Sequence, residues 1–409
     1  MWDFFIVIFA CDHNLTLPVK NSTQPFALAA CYAVSYYLVL YILYRLNIVP
    51  VFPNENTLLN WDAHWYHSIA ANGYQYSTEG YSNSGFFILF PLLWKALGVG
   101  PWGISFVNTV LFAAGFAIFN RIYKLNNADR LLWLTFPSFY IAFVPYSEAL
   151  FVFLSSVALW AIVKDKIYMV WLCLFLLSLT RPVTVILVPA FLITELITND
   201  KKDWWRAIWR AIILYCLPLV VGMILFLWYQ YAVTGVWMAY FKAQTDHWGH
   251  HITVPVLPFD SAFGLRLLWL NAAALFLSFL TLLLLIGYGI KWLVKNKVQT
   301  DKLFVLSCLY FTGIGLVTIL FNSDWGSKGT NIFDLARYAF VTPFFWVLLH
   351  RFTITTRYKP ADYLKAFLLL NVFWLCFESW QHIQKLLYFN LAGLFILLYM
   401  WQPRNSMRW

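Results

Sequence analysis

Long apolar runs recur along almost the whole length of this 409-residue chain and constrain its fold more than any other feature. A helix needs about 20 consecutive apolar residues to cross the hydrocarbon core of a bilayer, and we predict about twelve such spans. The predicted spans are 26–49, 101–120, 131–145, 148–163, 167–180, 182–197, 208–234, 266–290, 303–321, 338–352, 364–380 and 385–401. The third, fourth, fifth, sixth and tenth runs are short for a bilayer, so we expect broken or tilted helices there. The pattern predicts an all-α polytopic membrane protein.

Composition excludes several other classes of protein. Apolar residues make up 62% of the chain and charged residues only 11%, against about 25% charged in a soluble domain. A water-soluble globule could not bury this much apolar surface, which excludes a soluble enzyme and a disordered protein. The net charge of +10 does not indicate nucleic-acid binding, because the basic residues lie in short connections between apolar runs. We therefore expect membrane lipids as partners and no nucleic acid.

The distribution of Lys and Arg predicts the orientation of the chain. With the N-terminal segment 1–25 inside, the inner connections carry 20 of the 28 basic residues and the outer ones carry 8. The large outer segments are then 50–100, 235–265 and 322–337. Asn14 and Asn21 head glycosylation sequons on the predicted inner side, so a glycan on either would invert the orientation.

The first outer segment contains two short predicted helices. At 100° per residue, Asp62 lies beside the apolar stripe of Trp61, Trp65 and Ile69, which is typical of a helix in the membrane interface. Gly73 is expected to end this helix. The stretch from Phe86 to Leu97 contains Pro91 and is too short to span, so it predicts a second juxtamembrane helix.

Two acidic residues in or beside the predicted spans allow structural and functional interpretations. In the structural interpretation, Asp62 stabilises the start of its helix through the helix dipole. In the functional interpretation, it faces a cavity at the membrane edge and acts as a general base. Glu148 opens a span, where an N-terminal acid is the simpler interpretation.

Three basic residues at the predicted outer side are candidate phosphate ligands. Arg181 precedes Pro182 at the outer end of two short spans, where a cation is costly unless it is paired, for example with a lipid phosphate. Lys328 and Arg337 flank a polar outer loop, and their alternative role is snorkelling to lipid headgroups.

The sequence gives little indication of a metal or cofactor. His247, His250 and His251 form a cluster, but no Cys or carboxylate has the spacing that would support a zinc site. The six Cys form no CxxC pair, and there is no Gly-rich phosphate loop, GxSxG or HExxH motif. We expect neither a metal nor a cofactor, and no nucleotide-sugar site.

The segment Trp61–Tyr74 resembles the WD-x-x-W/F-Y/F-x-x-IA-x-x-GY signature of the PIG-V family, which contains the second mannosyltransferase of GPI-anchor synthesis and its prokaryotic relatives. Four further elements resemble parts of that family in the same order, although each is weak alone. They are Phe86–Leu93, Pro145–Glu148, Ser178–Pro182 and Ala336–Pro343.

The resemblance implies a GT-C-like fold and an inverting glycosyltransferase. Such an enzyme moves a sugar, here mannose by resemblance, from a polyprenyl-phosphate donor to a lipid or glycan acceptor at the non-cytoplasmic face. Asp62 corresponds to the catalytic base, and the expected donor-phosphate ligands are Arg181, Arg337 and Lys328. The expected substrate-binding residues are Trp61, Trp65, Tyr66, Tyr74 and Glu148.

The resemblance also suggests how the chain is divided and where it acts. Residues 26–265 would form the catalytic transmembrane module and 266–409 the C-terminal helices. The short loops favour a prokaryotic relative in the plasma membrane with its site outside; in a eukaryote the site would face the ER lumen. Two other classes remain open: a transporter or lipid flippase, and a structural assembly subunit. The flippase should tolerate Asp62→Asn, and the assembly subunit should show no turnover.

Overall fold

The computed structural model describes residues 24–354 except 124, 126–129, 131–132, 135, 262–267, 295–299 and 324–328. In chain order, its α-helices are α1 (Gln24–Arg45), α2 (Asp62–Asn72), α3 (Leu89–Leu97), α4 (Pro101–Ile122), α5 (Glu148–Val163), α6 (Ile167–Ser178), α7 (Leu187–Thr198), α8 (Trp204–Ala211), α9 (Leu217–Thr234), α10 (Ala239–Lys242), α11 (Leu268–Val294), α12 (Lys302–Leu320), α13 (Leu335–Phe340) and α14 (Pro343–Ile354). The predicted spans 364–380 and 385–401, and residues 1–23 of the predicted N-terminal segment, lie outside the described residues.

Short 3-10 and π-helical segments and two strands complete the described structure. The 3-10 segments are Thr57–Leu59, Asn83–Gly85, Pro137–Phe143, Pro182–Ile186 and Lys201–Asp203, and the π segments are Ile212–Cys216 and Ala243–His247. The strands β1 (His250–Ile252) and β2 (Phe321–Ser323) pair antiparallel, with His251 opposite Asn322.

Five helices in the described part of the chain are long and apolar enough to cross a membrane. They are α1, α4, the continuous helical run Lys201–Thr234, α11 and α12. Helices α5 and α6 and the run Pro182–Thr198 are apolar but shorter. These features identify an all-α membrane protein, while the total of about twelve spans stays a prediction.

Among the short predicted spans, 131–145 and 338–352 are interrupted, as their length suggested, and 182–197 begins with the 3-10 segment Pro182–Ile186. Within 131–145, residues Pro137–Phe143 form a 3-10 helix, and the run 338–352 is divided between α13 and α14. Proline explains the second break, because Pro343 has no N–H to donate and disfavours helical backbone at the preceding residue.

Both predicted helices of the first outer segment are present. Helix α2 ends at Gly73 with φ +78°, and α3 ends at Gly98 with φ +61°, a left-handed conformation that glycine adopts without strain. Trp61, a member of the predicted interfacial stripe, directly precedes α2 and is 61% exposed. The buried face of α2 instead consists of Ala63, Tyr66, Ile69 and Ala70.

An aromatic core holds the central helices together. Phe112, Phe116 and Phe119 line one face of α4 and surround the fully buried indole of Trp346 from α14. Helices α4 and α5 approach closely at Gly115, where a Cβ atom would lie 3.1 Å from the Cα of Phe153. Small residues permit such close helix contacts inside a membrane.

The helix bundle has two distinct ends. Helix α5 rises about 24 Å from Glu148 to Val163. Glu148 marks the end that carries α2, α3, β1 and β2, and we call the opposite end, near Val163, the basic end. At the basic end Tyr123 donates a hydrogen bond to Asp301, and Lys201 donates to the carbonyl of Leu293.

Candidate active site

Four polar side chains singled out in the sequence meet at one point of the fold. Arg337 pairs with Asp62 (Nη2 to Oδ2, 2.5 Å) and also with Glu148. Arg181 pairs with the same Glu148 oxygen (Nη2 to Oε1, 3.1 Å), and Asp334 lies 3.9 Å from Arg337. We call Asp62, Glu148, Arg181, Asp334 and Arg337 the ion-pair cluster.

Breaks in helical structure bring these side chains together. Asp62 and Glu148 are the first residues of α2 and α5, where an acid interacts favourably with the helix dipole. Arg181 has extended backbone (φ −158°, ψ 149°) because the following Pro182 disfavours the helical conformation and a 3-10 segment begins there. Arg337 lies in the short helix α13, behind Asp334 in left-handed backbone at φ +68°.

Burial divides the ion-pair cluster into an inner and an outer part. The side chains of Glu148 and Arg181 are 0% and 3% exposed, and that of Arg337 is 8% exposed. Asp62 and Asp334 keep 25% and 35% of their side-chain surface exposed. An incoming molecule would therefore meet the two aspartates and the edge of Arg337 first, with Glu148 and Arg181 beneath them.

The charges of the ion-pair cluster nearly cancel. Three carboxylates face two guanidinium groups, which leaves a net charge of −1 when all are ionised. Although part of the Asp334 side chain is exposed, desolvation by the surrounding protein raises its pKa to about 6; Arg337 lowers this pKa, and Asp62 and Glu148 raise it. Buried charges are tolerated only when they are paired and hydrogen-bonded. Glu148 and Arg181 largely meet this condition because they pair with each other.

Two buried atoms of the ion-pair cluster nevertheless have no hydrogen-bond partner among the described residues. They are Nη1 of Arg181 and Oε2 of Glu148. A buried donor or acceptor without a partner costs about 1–3 kcal/mol. Unsatisfied polar atoms of this kind in a charged cluster indicate a place where water or a ligand group completes the hydrogen bonds.

Aromatic rings enclose the two guanidinium groups. The guanidinium carbon of Arg181 lies 4.5 Å from the ring centre of Tyr338, and that of Arg337 lies 4.8 Å from Tyr146. Tyr66, on the buried face of α2, shares a 2.9 Å hydrogen bond with Ser147, the residue before Glu148. Tyr66 therefore links α2 to the start of α5. The cation–π contacts stabilise the two guanidinium groups, since a desolvated cation over an aromatic face gains about 2 kcal/mol.

The other predicted substrate-binding residues have different surroundings. Tyr74 is buried against Phe226 and donates a 2.7 Å hydrogen bond to the carbonyl of Phe86. Trp65 stacks on Phe86 and meets Trp248 edge to face. Tyr74 thus has the contacts of a packing residue. Trp65, which is on the same helix as Asp62, belongs to an aromatic cluster with Phe86 and Trp248.

The remaining sequence candidates are placed as follows. Lys328 lies outside the described residues. His247 meets the ring of Tyr76, and His250 stacks on Phe321. Within the described ranges, no group of three or more His, Cys, Asp or Glu side chains is arranged to hold a metal ion.

Sequence reasoning did not single out Asp334, Tyr146 or Tyr338. Each had an available signal, because Asp334 precedes Arg337 by three residues and the two tyrosines adjoin Glu148 or Arg337 in motifs already noted. Their contribution depends on contacts between distant segments, which neighbouring residues in the sequence do not reveal.

No protein-family model, curated protein or solved structure matches this chain.

The geometry permits two kinds of chemistry. The Asp62 carboxylate lies at the partly exposed edge of the ion-pair cluster, where it can accept the proton of a bound hydroxyl group as a general base. A guanidinium group can bind two phosphate oxygens in a bidentate manner. Arg181 is a candidate for this role because its buried Nη1 has no hydrogen-bond partner among the described residues. The Asp62 carboxylate is paired, so a substrate must share or displace Arg337 to reach it.

Proposed function

We propose that the protein is a glycosyltransferase that moves a sugar, mannose by resemblance, from a polyprenyl-phosphate donor to an acceptor hydroxyl on a lipid or glycan. The observation that carries the proposal is the meeting of Asp62, Glu148, Arg181 and Arg337 in one cluster. These residues are up to 275 positions apart in the chain, and each lies in an element that resembles the PIG-V family.

Asp62 is the proposed general base. It takes the proton of the acceptor hydroxyl while that oxygen bonds to the anomeric carbon and the bond from this carbon to the phosphate oxygen breaks. A single displacement of this kind inverts the anomeric configuration. Asp62 suits the role because a quarter of its side chain is exposed, so that an acceptor hydroxyl group can reach the carboxylate.

Arg337 and Arg181 have different proposed roles. Arg337 contacts Asp62 and reaches the exposed edge of the ion-pair cluster, so it is placed to balance the charge of the departing phosphate. Arg181 is deeper and is paired with Glu148 through Nη2, while its Nη1 has no hydrogen-bond partner among the described residues and is available to a phosphate oxygen. Glu148 positions both arginines.

The donor explains why no nucleotide site is needed. A polyprenyl-phosphate sugar already carries its leaving group, and its prenyl chain remains in the membrane that the apolar helices cross. The lipid-linked sugar is a substrate here and not a cofactor.

The test is transfer by the purified protein. Polyprenyl-phosphate mannose and candidate acceptor lipids are incubated with the wild-type protein and with Asp62→Asn, and products are followed by mass spectrometry. We expect a mannosylated acceptor with the wild type and a rate at least about 100-fold lower with Asp62→Asn, the usual contribution of a general base. Glu79→Gln is the matched control, because Glu79 is an exposed carboxylate of the same outer segment.

Two outcomes would contradict the proposal. Near-normal transfer by Asp62→Asn would remove the proposed base. Movement of the lipid-linked sugar between leaflets of proteoliposomes, without a new glycosidic bond, would assign the protein to the transporter or flippase class.

A further inference from the structure

A cavity of about 330 Å³ opens at the basic end of the bundle, far from the ion-pair cluster. Its wall contains the ends of α4 and α5 and the start of α12. It lies beside Val163, one length of α5 (about 24 Å) from Glu148. The cavity therefore belongs to a different site from the proposed active site.

The cavity has both signs of charge on its wall. Arg210 and Lys302 supply positive charge, and Asp165 and Asp301 supply negative charge. Arg210 lies 4.0 Å from Asp165, too far for a hydrogen bond, and both side chains are more than half exposed. Their hydrogen-bonding groups can therefore turn towards a ligand at little cost.

The other two charged residues of the wall, Lys302 and Asp301, already have partners within the protein. Lys302 pairs with the buried Glu195 and donates to the hydroxyl of Tyr215 at 3.2 Å, which uses two of its three N–H groups. Asp301 caps α12 by accepting from the N–H of Leu303 and also accepts from Tyr123. Lys302 and Asp301 are therefore held in place by these partners, whereas the more exposed side chains of Arg210 and Asp165 are free to change conformation.

The surroundings of this opening are typical of the lipid-headgroup region of a membrane. Helix α8, which carries Arg210, exposes the rings of Trp204, Trp205 and Trp209, each between 46% and 57% exposed. Tryptophan concentrates at membrane–water interfaces. Apolar surface continues from the cavity, because Val163 on its wall and Ile213 after Arg210 are about half exposed. Such a surface can contact an acyl chain.

We propose that this cavity binds the headgroup of a phospholipid that carries both a phosphate and a primary ammonium group, as phosphatidylethanolamine does. Arg210 and the third N–H of Lys302 contact the phosphate, and Asp165 accepts hydrogen bonds from the ammonium. A cavity of this volume holds a headgroup but not a whole lipid, so the acyl chains lie outside along Val163 and Ile213.

The site should select among phospholipids by the phosphate and the ammonium group of the headgroup. Phosphatidylglycerol has the phosphate but no cation for Asp165. Phosphatidylcholine has a quaternary ammonium that cannot donate a hydrogen bond. Both should bind more weakly than phosphatidylethanolamine.

The experiment measures lipid binding to the purified protein in detergent by native mass spectrometry, with these three lipids and free O-phosphoethanolamine as probes. We expect Arg210→Gln to weaken phosphatidylethanolamine binding about tenfold, because it removes a charge-assisted contact. Arg206→Gln is the matched control: Arg206 is on the same helix, is 88% exposed and pairs with Asp203. Asp165→Asn should abolish the preference for phosphatidylethanolamine over phosphatidylglycerol.

Several results would overturn the proposal. Equal effects of Arg210→Gln and Arg206→Gln would remove the site. Equal binding of the three lipids would remove the headgroup selectivity, and binding of free O-phosphoethanolamine as tight as that of the lipid would indicate a soluble ligand. Sugar transfer is not part of this readout, so a failure here leaves the proposed function standing, and the reverse also holds.

Discussion

At the scale of single residues, Glu148 is the fully buried carboxylate of the ion-pair cluster and is bound by two arginines. It has no exposed surface and accepts contacts from both Arg181 and Arg337. Asp62 is a second partner of Arg337, but it is a quarter exposed and can exchange part of its pairing for water. The two carboxylates should therefore differ in how much of the stability depends on them.

We predict that Glu148→Gln destabilises the protein by about 3–5 kcal/mol, the usual cost of leaving a buried charge without its partner. Asp62→Asn should cost much less, because Arg337 keeps Glu148 and the site is partly solvated. Unfolding in detergent, followed by thiol-reactive dye fluorescence, measures both variants. Equal destabilisation by the two substitutions would mean that burial does not set the cost.

Asp334 gives the stability of the protein a predictable pH dependence. Burial raises its pKa from 3.8 to about 6, so the native state binds this proton more tightly than the unfolded chain does. The cost of ionised Asp334 is then fully present above about pH 6 and is relieved as the pH falls from about 6 to about 4.

Asp334→Asn should remove this dependence. The variant should be more stable than the wild type at about pH 7.5, and the difference should shrink as the pH approaches 5. Melting temperatures of both proteins across this range provide the measurement. A difference that stays constant with pH would show that Asp334 titrates normally.

At the scale of elements, helix packing depends on small residues at crossing points. Gly222 on α9 faces α6, where an added Cβ would meet the Ser178 hydroxyl and would lie 2.8 Å from the carbonyl oxygen of Phe175. Backbone cannot yield as a flexible side chain can, so this crossing leaves no room for a methyl group. Gly287 on α11 has nothing within 4 Å of the same position.

Gly222→Ala should therefore destabilise the protein by about 1–3 kcal/mol, since overpacking forces the two helices apart. Gly287→Ala is the matched control and should be neutral or slightly stabilising, because alanine favours helix more than glycine does. The same unfolding assay distinguishes them. If Gly222→Ala behaves like Gly287→Ala, helices α6 and α9 do not pack as closely as described.

At the scale of the whole molecule, the bundle separates two chemically different ends. The ion-pair cluster lies beside the aromatic helix α2, while Lys201, Arg210 and Lys302 lie at the basic end. By the positive-inside rule the basic end should face the cytoplasm. The orientation in the membrane is thus a prediction that can be tested directly.

Cysteines introduced at Glu79 and at Arg206 should be labelled from opposite sides of the membrane. Both positions are exposed, one in the outer segment and one on α8. In a background with Cys11, Cys31 and Cys376 replaced by Ser, a membrane-impermeant maleimide added to intact cells should label Glu79→Cys and leave Arg206→Cys unlabelled until the cells are opened. The reverse pattern would invert the orientation and move the proposed active site to the cytoplasm.

Local sequence patterns predicted the parts of this protein that depend on local forces. Gly73 ends α2 where its freedom at positive φ predicted, and the apolar run 148–163 has the bounds of α5. Which face of α2 packs against the protein depends on tertiary contacts such as that of Tyr66 with Ser147, which helical spacing in the sequence does not reveal.

The sequence by itself determined that this chain crosses a membrane as helices, because apolar length and proline position act within one segment. It also identified most charged members of the ion-pair cluster, since charges in apolar surroundings are costly and therefore conspicuous. Only the tertiary structure decided that Glu148 bridges Arg181 and Arg337 and that Arg337 reaches Asp62. Those pairings join segments far apart in the chain, and their energy exists only once packing has excluded water between them.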